Sequence, residues 1–294
     1  MKRPVQQIIQ RLEQRLHKRL VGFFRIQQGY SAAARWIIQC ADNTSVFVKT
    51  GFTEDAKKWL RHEYLVYSSV QGTFIPQLLD WDDDSDPPLL ILEDLSPYFW
   101  SPPWNDARVE AVLASLENMH ATTVSSPPFE VGHSQMLRGW HQVEMTPNPF
   151  LSLELASANW LEKALPILVD GETHVDLRGS SLTHFDIRSD NICLVNDRAV
   201  LIDWNFARIG NPKLDLGFWL PSLHAEGGPQ PEVILPDAGN IAALVSGFFA
   251  CRAGLPLIPH APRVRDVQRT QLKTALSWVA RSLALPPLDG RAYS

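Results

Sequence analysis

Polarity changes period along the chain. Near the start, "MKRPVQQIIQRLEQRLHKRL" carries Ile8, Ile9, Leu12, Leu16 and Leu20 at helical spacing among basic and polar residues, which predicts an amphipathic helix packed on the body of the protein. Short runs rich in β-branched and aromatic residues follow at 21–27, 35–41, 45–50 and 89–95, with turn signals at Gln28-Gly29 and Asp42-Asn43. Such runs predict an antiparallel sheet. Between the third and fourth, Trp59, Leu60, Tyr64 and Tyr67 recur at three and four residues, so 54–70 is expected to be a helix and the order strand, strand, strand, helix, strand. The charge run "DWDDDSDPP" at 80–88 reads as a solvated turn rather than a metal site.

From Pro97 to Pro103, "PYFWSPP" breaks the pattern, and helical periodicity dominates afterwards at 105–124, 151–168, 238–254 and 264–285. The proline-rich tracts around 221–236 and 255–262 read as loops. The expected organisation is α+β, with a small antiparallel-sheet lobe over 1–96 and a larger, mainly helical lobe over 97–294.

Composition narrows the function classes. With 294 residues, 45% apolar and 20% charged, the chain is an ordinary globular protein with room for a large core. A net charge of -5 gives no basic footprint for nucleic acid, so none is expected as a partner. Cys40, Cys193 and Cys251 form no C-x-x-C pair, which fits neither a disulfide framework nor a zinc knuckle and agrees with a reducing cytoplasm. The longest apolar runs, such as 242–250, are well short of the roughly 20 residues of a membrane span. No apolar h-region or small-residue cleavage site follows the basic start, so neither a secretory signal nor a membrane partner is expected.

The candidate chemistry lies in "THFDIRSDNICLVNDRAVLIDWNFA", from Thr183 to Ala207. Strand-like runs at 192–195 and 199–202 flank Asn196 and Asp197, a hairpin signal. A two-residue loop sets Asn191 opposite Ile202 and a three-residue loop sets it opposite Asp203; either way Asn191 and Asp203 become neighbours. Two hard oxygen ligands at a strand end, with room for water and an anion, suit magnesium. Asp186, five residues before Asn191, puts a second carboxylate beside that site rather than in it. A lone H-x-D also fits a metallohydrolase or a core histidine with a capping aspartate, whereas H-x-D-x-x-x-x-N followed by a hairpin and Asp is the arrangement of protein-kinase-like phosphotransferases. Upstream, Lys49 ends the third strand, where a lysine grips nucleotide phosphates, and Glu63 on the next helix is the acid placed to hold it. Each of these charges taken alone would be read as a solvated surface residue. No G-x-x-x-x-G-K-[ST] is present, which excludes a P-loop kinase on pattern.

On these residues the sequence resembles the aminoglycoside phosphotransferase family, which shares the two-lobed protein-kinase-like fold with choline kinases and homoserine kinases. The resemblance runs from about residue 20 to 220 and is carried by "LTHFDIRSDNICL" and "LIDWNFARIGNPKLDL". "IDW" stands in place of D-F-G and no A-P-E segment follows, which favours a small-molecule kinase over a protein kinase. The resemblance implies that Asp186 is the catalytic base, Arg188 lies near the transferred phosphate, Asn191 and Asp203 hold Mg2+, and Lys49, kept by Glu63, binds the phosphates of ATP or GTP. His184 and Asp215 would support the backbone of the site, and Glu93 and Leu95 of "LEDL" (92–95) would bind the purine through backbone groups. The first hairpin, "QQGYSAAARW", departs from the protein-kinase G-x-G-x-x-G; Gly29 and Ser31 are the residues left to cover the phosphates.

The acceptor is set by what surrounds Asp186. Glu226, Asp237 and Asp106 with Trp100, Trp104 and Trp219 would suit a small cationic molecule bearing a hydroxyl, such as an aminoglycoside, a basic peptide antibiotic or choline. An antibiotic-resistance role comes from the resemblance alone; a metabolite kinase of the choline or homoserine kinase type would show the same core. A nucleotide-binding pseudokinase acting as an interaction module would be expected to lose Asp186, Asn191, Asp203 or Lys49, and all four are present. A metal-dependent hydrolase would need further ligands, yet of nine histidines only His184 falls in this stretch.

Overall fold

In the computed structural model, which describes residues 6–27, 33–124, 136–258 and 261–290, the strand-like runs become β1 (Leu20–Ile26), β2 (Ala34–Cys40), β3 (Ser45–Thr50), β4 (Leu78–Asp82) and β5 (Leu89–Glu93). They form one antiparallel sheet in the order β1-β2-β3-β5-β4. Trp36, Ile38, Val46 and Val48 turn one face of this sheet inward, and the basic helix α1 (Gln6–Leu16) closes that face with Ile8 and Leu12. Strand alternation then places Arg35 and Lys49, which are register partners across β2 and β3, together on the other face. Helix α2 (Glu54–Ser69) follows β3 directly. Its N-terminus is capped by Thr53, whose side chain accepts from the Ala56 N–H, with Glu54 and Asp55 in the first turn. Gly51 lets the turn close tightly, since a Cβ there would lie 2.6 Å from the Ala56 backbone. One side of α2 buries Leu60, Glu63 and Tyr67.

The acidic run at 80–88 is not wholly a turn, because its first residues belong to β4. Residues 83–86 remain exposed, as expected of a solvated turn, while basic side chains of α1 and α2 pair with the acids and Asp82 is drawn inside. Asp82, buried, receives Arg11 at 2.8 Å, Arg15 reaches Asp84 at 2.5 Å, Arg61 pairs with Asp83 at 2.7 Å and Lys57 with Asp86 at 2.5 Å. Arg11 also donates to the carbonyls of Ser85 and Pro87. Asp82→Ala therefore strands a nearly buried guanidinium and should cost about 3 to 5 kcal/mol. Asp84→Ala, at an exposed carboxylate, should cost under about 1 kcal/mol. Urea titration of both variants checks the contrast, and equal midpoints would reject it.

The chain divides into two compact units. The first contains residues 1–101, 110–118 and 190–205, and the second 102–109, 119–189 and 206–294. Besides the five-stranded sheet, the first unit holds β6 (Phe99–Trp100) and the hairpin Ile192–Val195/Arg198–Leu201 in a three-stranded sheet. Val195 pairs with Arg198 across a two-residue turn, with Asn196 at φ 55°. The Ile202 N–H donates to the Asn191 carbonyl at 3.0 Å, so of the two expected registers the two-residue loop is the one observed.

The second unit is mainly helical. Gly239–Ala253, apolar around most of its circumference, is its buried centre. The helix expected over 151–168 instead runs from Ala158 to Thr173, because Ser157 caps it by accepting the Trp160 N–H. The tract around 221–236 is not a loop throughout: Lys213–Ala225 is a helix that continues through Pro221, held by buried Leu214, Trp219, Leu220 and Leu223. Burial of that face outweighs the backbone bond a proline removes. A short ladder pairs Ser181–Thr183 with Arg208–Gly210. Among the described residues no helix is long and apolar enough to cross a membrane.

Candidate active site

In the first unit the polar face of the sheet meets α2 and the end of the hairpin. The Lys49 ammonium donates to Glu63 at 2.6 Å and to Asp203 Oδ1 at 2.7 Å, and Arg35 Nη2 lies 3.9 Å from Asp203 Oδ2. Relative exposure is only 4% for Lys49, 1% for Glu63 and 8% for Arg35, so these charges act on one another with little water between them. Burial pulls the Lys49 ammonium down, but Asp203 and Glu63 outweigh it and hold the group above the ordinary lysine range. Burial pushes the Glu63 carboxyl up, with Lys49 opposing it. Asp203 itself sits in the left-handed region at φ 66°, immediately after the hairpin strand, with Trp204 buried behind it.

Buried Asn191 lies at the same open end of the hairpin, its carbonyl accepting the Ile202 N–H. Asn205 donates its amide N–H to Asp203 Oδ1, while its own Oδ1 is buried without a hydrogen-bond partner. The donors gathered at this hairpin end are thus a carboxylate and amide oxygens, the hard ligands that Mg2+ takes along with water and phosphate. Among the described residues no group of three or more His, Cys, Asp or Glu side chains offers a competing metal cage.

The second unit carries the 184–189 loop. Asp215, fully buried on Lys213–Ala225, accepts the backbone N–H of His184 at 3.0 Å and of Phe185 at 2.7 Å, and its other oxygen meets His120 Nε2 at 2.8 Å. Phe185 is thereby held at φ 63°, a conformation a bulky side chain adopts only under such constraint. The Asp186 N–H in turn donates to His184 Nδ1 at 3.3 Å. A carboxylate at 186 is therefore presented from a loop whose backbone is tied at three successive residues. Arg188 Nε lies 3.4 Å from Asp186 Oδ1.

Three residues after Asp186, Ser189 donates to Glu226 at 2.7 Å, and Trp104 Nε1 donates to the other oxygen of Glu226 at 2.8 Å. Trp104 stands edge-on to Trp219, with ring centroids 5.8 Å apart. Of the six residues expected around the acceptor, Trp104, Trp219 and Glu226 are thus brought together. Trp100 packs on the cluster of Leu95, Cys193, Val195 and Val200 with its Nε1 donating to the Leu95 carbonyl at 3.3 Å. Asp106 and Asp237 are exposed.

At "LEDL", Glu93 ends β5 and pairs with Val46, and its carboxylate accepts the Gln77 N–H at 2.9 Å. The Leu95 carbonyl is taken by Tyr98 N–H as well as by Trp100. Gly29 and Ser31 lie outside the described residues. Sequence reasoning missed Arg35 and His120. Arg35 was detectable by counting outward from the Asp42-Asn43 turn, which puts it across from Lys49; His120, far from the 184–189 loop in sequence, gave no local signal.

This arrangement accompanies a fold shared with solved small-molecule kinases. A choline/ethanolamine kinase family protein from Mesorhizobium loti aligns with a TM-score of 0.56 at 13% identity, covering 90% of this chain and 92% of its own. A candidate fructosamine-3-kinase from Thermobifida fusca YX-ER1 aligns at 0.55 with 20% identity, covering 92% and 100%. An amicoumacin kinase, hAmiN, solved with AMP-PNP, Ca2+ and Ami, aligns at 0.51 with 11% identity, covering 92% and 93%. At these identities the likeness is one of fold. Comparison with curated protein sequences finds no match. Residues 95–244, just over half of the 294, match the phosphotransferase enzyme family, and the chain belongs to that family.

Proposed function

We propose that this phosphotransferase is a small-molecule kinase that moves the γ-phosphoryl group of ATP or GTP to a hydroxyl of a small, cationic acceptor, working in the cytoplasm. The observation that carries the reading is the buried Lys49 ammonium bridging Glu63 and Asp203 at 2.6 and 2.7 Å. A lysine fixed in this way is held charged and aimed, which is what binding a polyphosphate requires.

Each residue then has a task. Lys49 meets the donor phosphates and Glu63 keeps it extended; the backbone around Glu93 and Leu95 takes the purine, with Leu95 offering its N–H because its carbonyl is already occupied. Asn191 and Asp203 hold Mg2+, which when bound neutralises charge on the transferring phosphates. Asp186 accepts the proton of the acceptor hydroxyl as its oxygen forms the new bond to the γ-phosphorus and the β–γ bridging oxygen departs with the nucleoside diphosphate. Arg188 sits beside Asp186, where a cation steadies the transferred phosphate. Gly29 and Ser31 are assigned to covering the phosphates.

The cationic character of the acceptor rests on Glu226. Its two oxygens accept from Ser189 and Trp104, yet a carboxylate retains further lone pairs, and Trp104 offers a half-buried aromatic surface beside it. The test is a coupled ADP or GDP release assay with ATP or GTP and Mg2+ against aminoglycosides, macrolides, basic peptide antibiotics, choline and homoserine. Release that depends on one cationic acceptor, and is lost in Asp186→Asn, is the expected result. Tight nucleotide binding with no phosphoryl transfer to any acceptor would replace the kinase reading with a binding module, and transfer confined to neutral or anionic acceptors would overturn the cationic class.

A further inference from the structure

Asp203 does not face Lys49 alone. Its Oδ1 receives Lys49 at 2.7 Å, while Arg35 from the neighbouring strand approaches its Oδ2 at 3.9 Å. Arg35 is buried, directly across from Lys49 in the β2–β3 register, and its Nη1 is steadied by the Ala33 carbonyl at 3.2 Å. From this juxtaposition we infer that Arg35 is a second phosphate-binding cation of the donor site, resting on Asp203 until the nucleotide arrives. The inference deepens the reading of Lys49 and Asp203 as the donor site and rests on it.

Charge balance is the first reason. Lys49 against Glu63 and Asp203 leaves one negative charge in excess, in a place where a polyphosphate must enter with little water to screen it. Arg35 cancels that excess. The second reason is competition. An ion held by Asp203 would compete for the carboxylate that Arg35 approaches, and a buried guanidinium whose counter-charge is partly taken up favours another anion beside it. The entering phosphates are that anion. The third is geometry, because a guanidinium presents a planar fork matched to phosphate oxygens, which an ammonium at the same place would lack. A residue kept only to pack the sheet would need no charge at this position; β2 supplies apolar packing through Trp36 and Ile38 on its other face.

The test compares MgATP, MgADP and adenosine binding by calorimetry in the full chain and in Arg35→Met, with matched melting curves. Wild-type protein should bind MgATP well above adenosine. The variant should lose about 10- to 100-fold in affinity for MgATP, the usual worth of a charge-assisted hydrogen bond, with adenosine unchanged. Equal MgATP affinity in the variant would overturn the role of Arg35, as would a parallel loss for adenosine, which would mean damaged packing. If Arg35→Met is too unstable to purify, Arg35→Lys decides: it retains charge and loses the fork, so MgATP should weaken relative to adenosine, and an unchanged ratio overturns the inference. A wild-type chain that binds no MgATP would instead remove the donor-site reading itself, and the inference with it.

Discussion

Asp186→Asn should slow phosphoryl transfer by about two to four decades, the usual worth of a general base, or roughly 3 to 5 kcal/mol of barrier. The substitution is nearly isosteric and removes the ability to accept a proton. The loop should survive it, since its conformation is imposed from the backbone: Asp215 takes the N–H groups of His184 and Phe185, and the Asp186 N–H reaches His184 Nδ1. Arg188 loses its neighbouring charge but keeps its place in the chain. Nucleotide affinity is expected to stay within about twofold, because the donor phosphates are assigned to Lys49, Asn191 and Asp203 and a surface-type change away from them costs under roughly 0.5 kcal/mol. Single-turnover transfer together with calorimetry separates the two quantities. Undiminished turnover would remove Asp186 from the chemistry, and a parallel loss of nucleotide affinity would indicate a collapsed loop.

Features set by short-range rules were legible in the sequence. The 192–201 hairpin follows from two strand-like runs around Asn196-Asp197, and α2 from the spacing of Trp59, Leu60, Tyr64 and Tyr67. Once the third strand and α2 were placed, a meeting of Lys49 and Glu63 needed only that the helix lie against its preceding strand. What escaped was decided at long range. The 80–88 run keeps its exposed turn at 83–86, but the strand residues before it and the pairing of Asp82 and Asp84 with Arg11 and Arg15, some seventy residues away, gave no local signal; Pro221 looks like a helix breaker until the apolar face around it is buried. The brace of His120 on Asp215 spans ninety-five residues and carries no periodic signal. The packing of Trp100 from β6 onto the Leu95 cluster is likewise a contact between residues distant in sequence, with no periodic signal.

Asp203→Ala should abolish the magnesium dependence of nucleotide binding and reduce transfer by about three decades or more, since a metal ion at transferring phosphates supplies several kcal/mol. Without the Asp203 carboxylate, Asn191 is the only assigned metal ligand left at this hairpin end, too few to hold an ion that binds mostly through water and phosphate. Lys49 keeps Glu63 at 2.6 Å, so its ammonium is still paired and the strand–helix contact persists. Lys49 and Arg35 both lose a competing anion. Metal-free nucleotide should therefore bind at least as well as it does to the unaltered chain, and the expected signature is a loss of the difference between affinities with and without Mg2+, not a loss of binding altogether. That pattern distinguishes removal of a metal ligand from general damage, which would weaken both affinities together. Calorimetric titration of ATP with Mg2+ and with EDTA reads it directly, and a variant whose affinity still rises with Mg2+ as the wild type's does would place the metal on other residues.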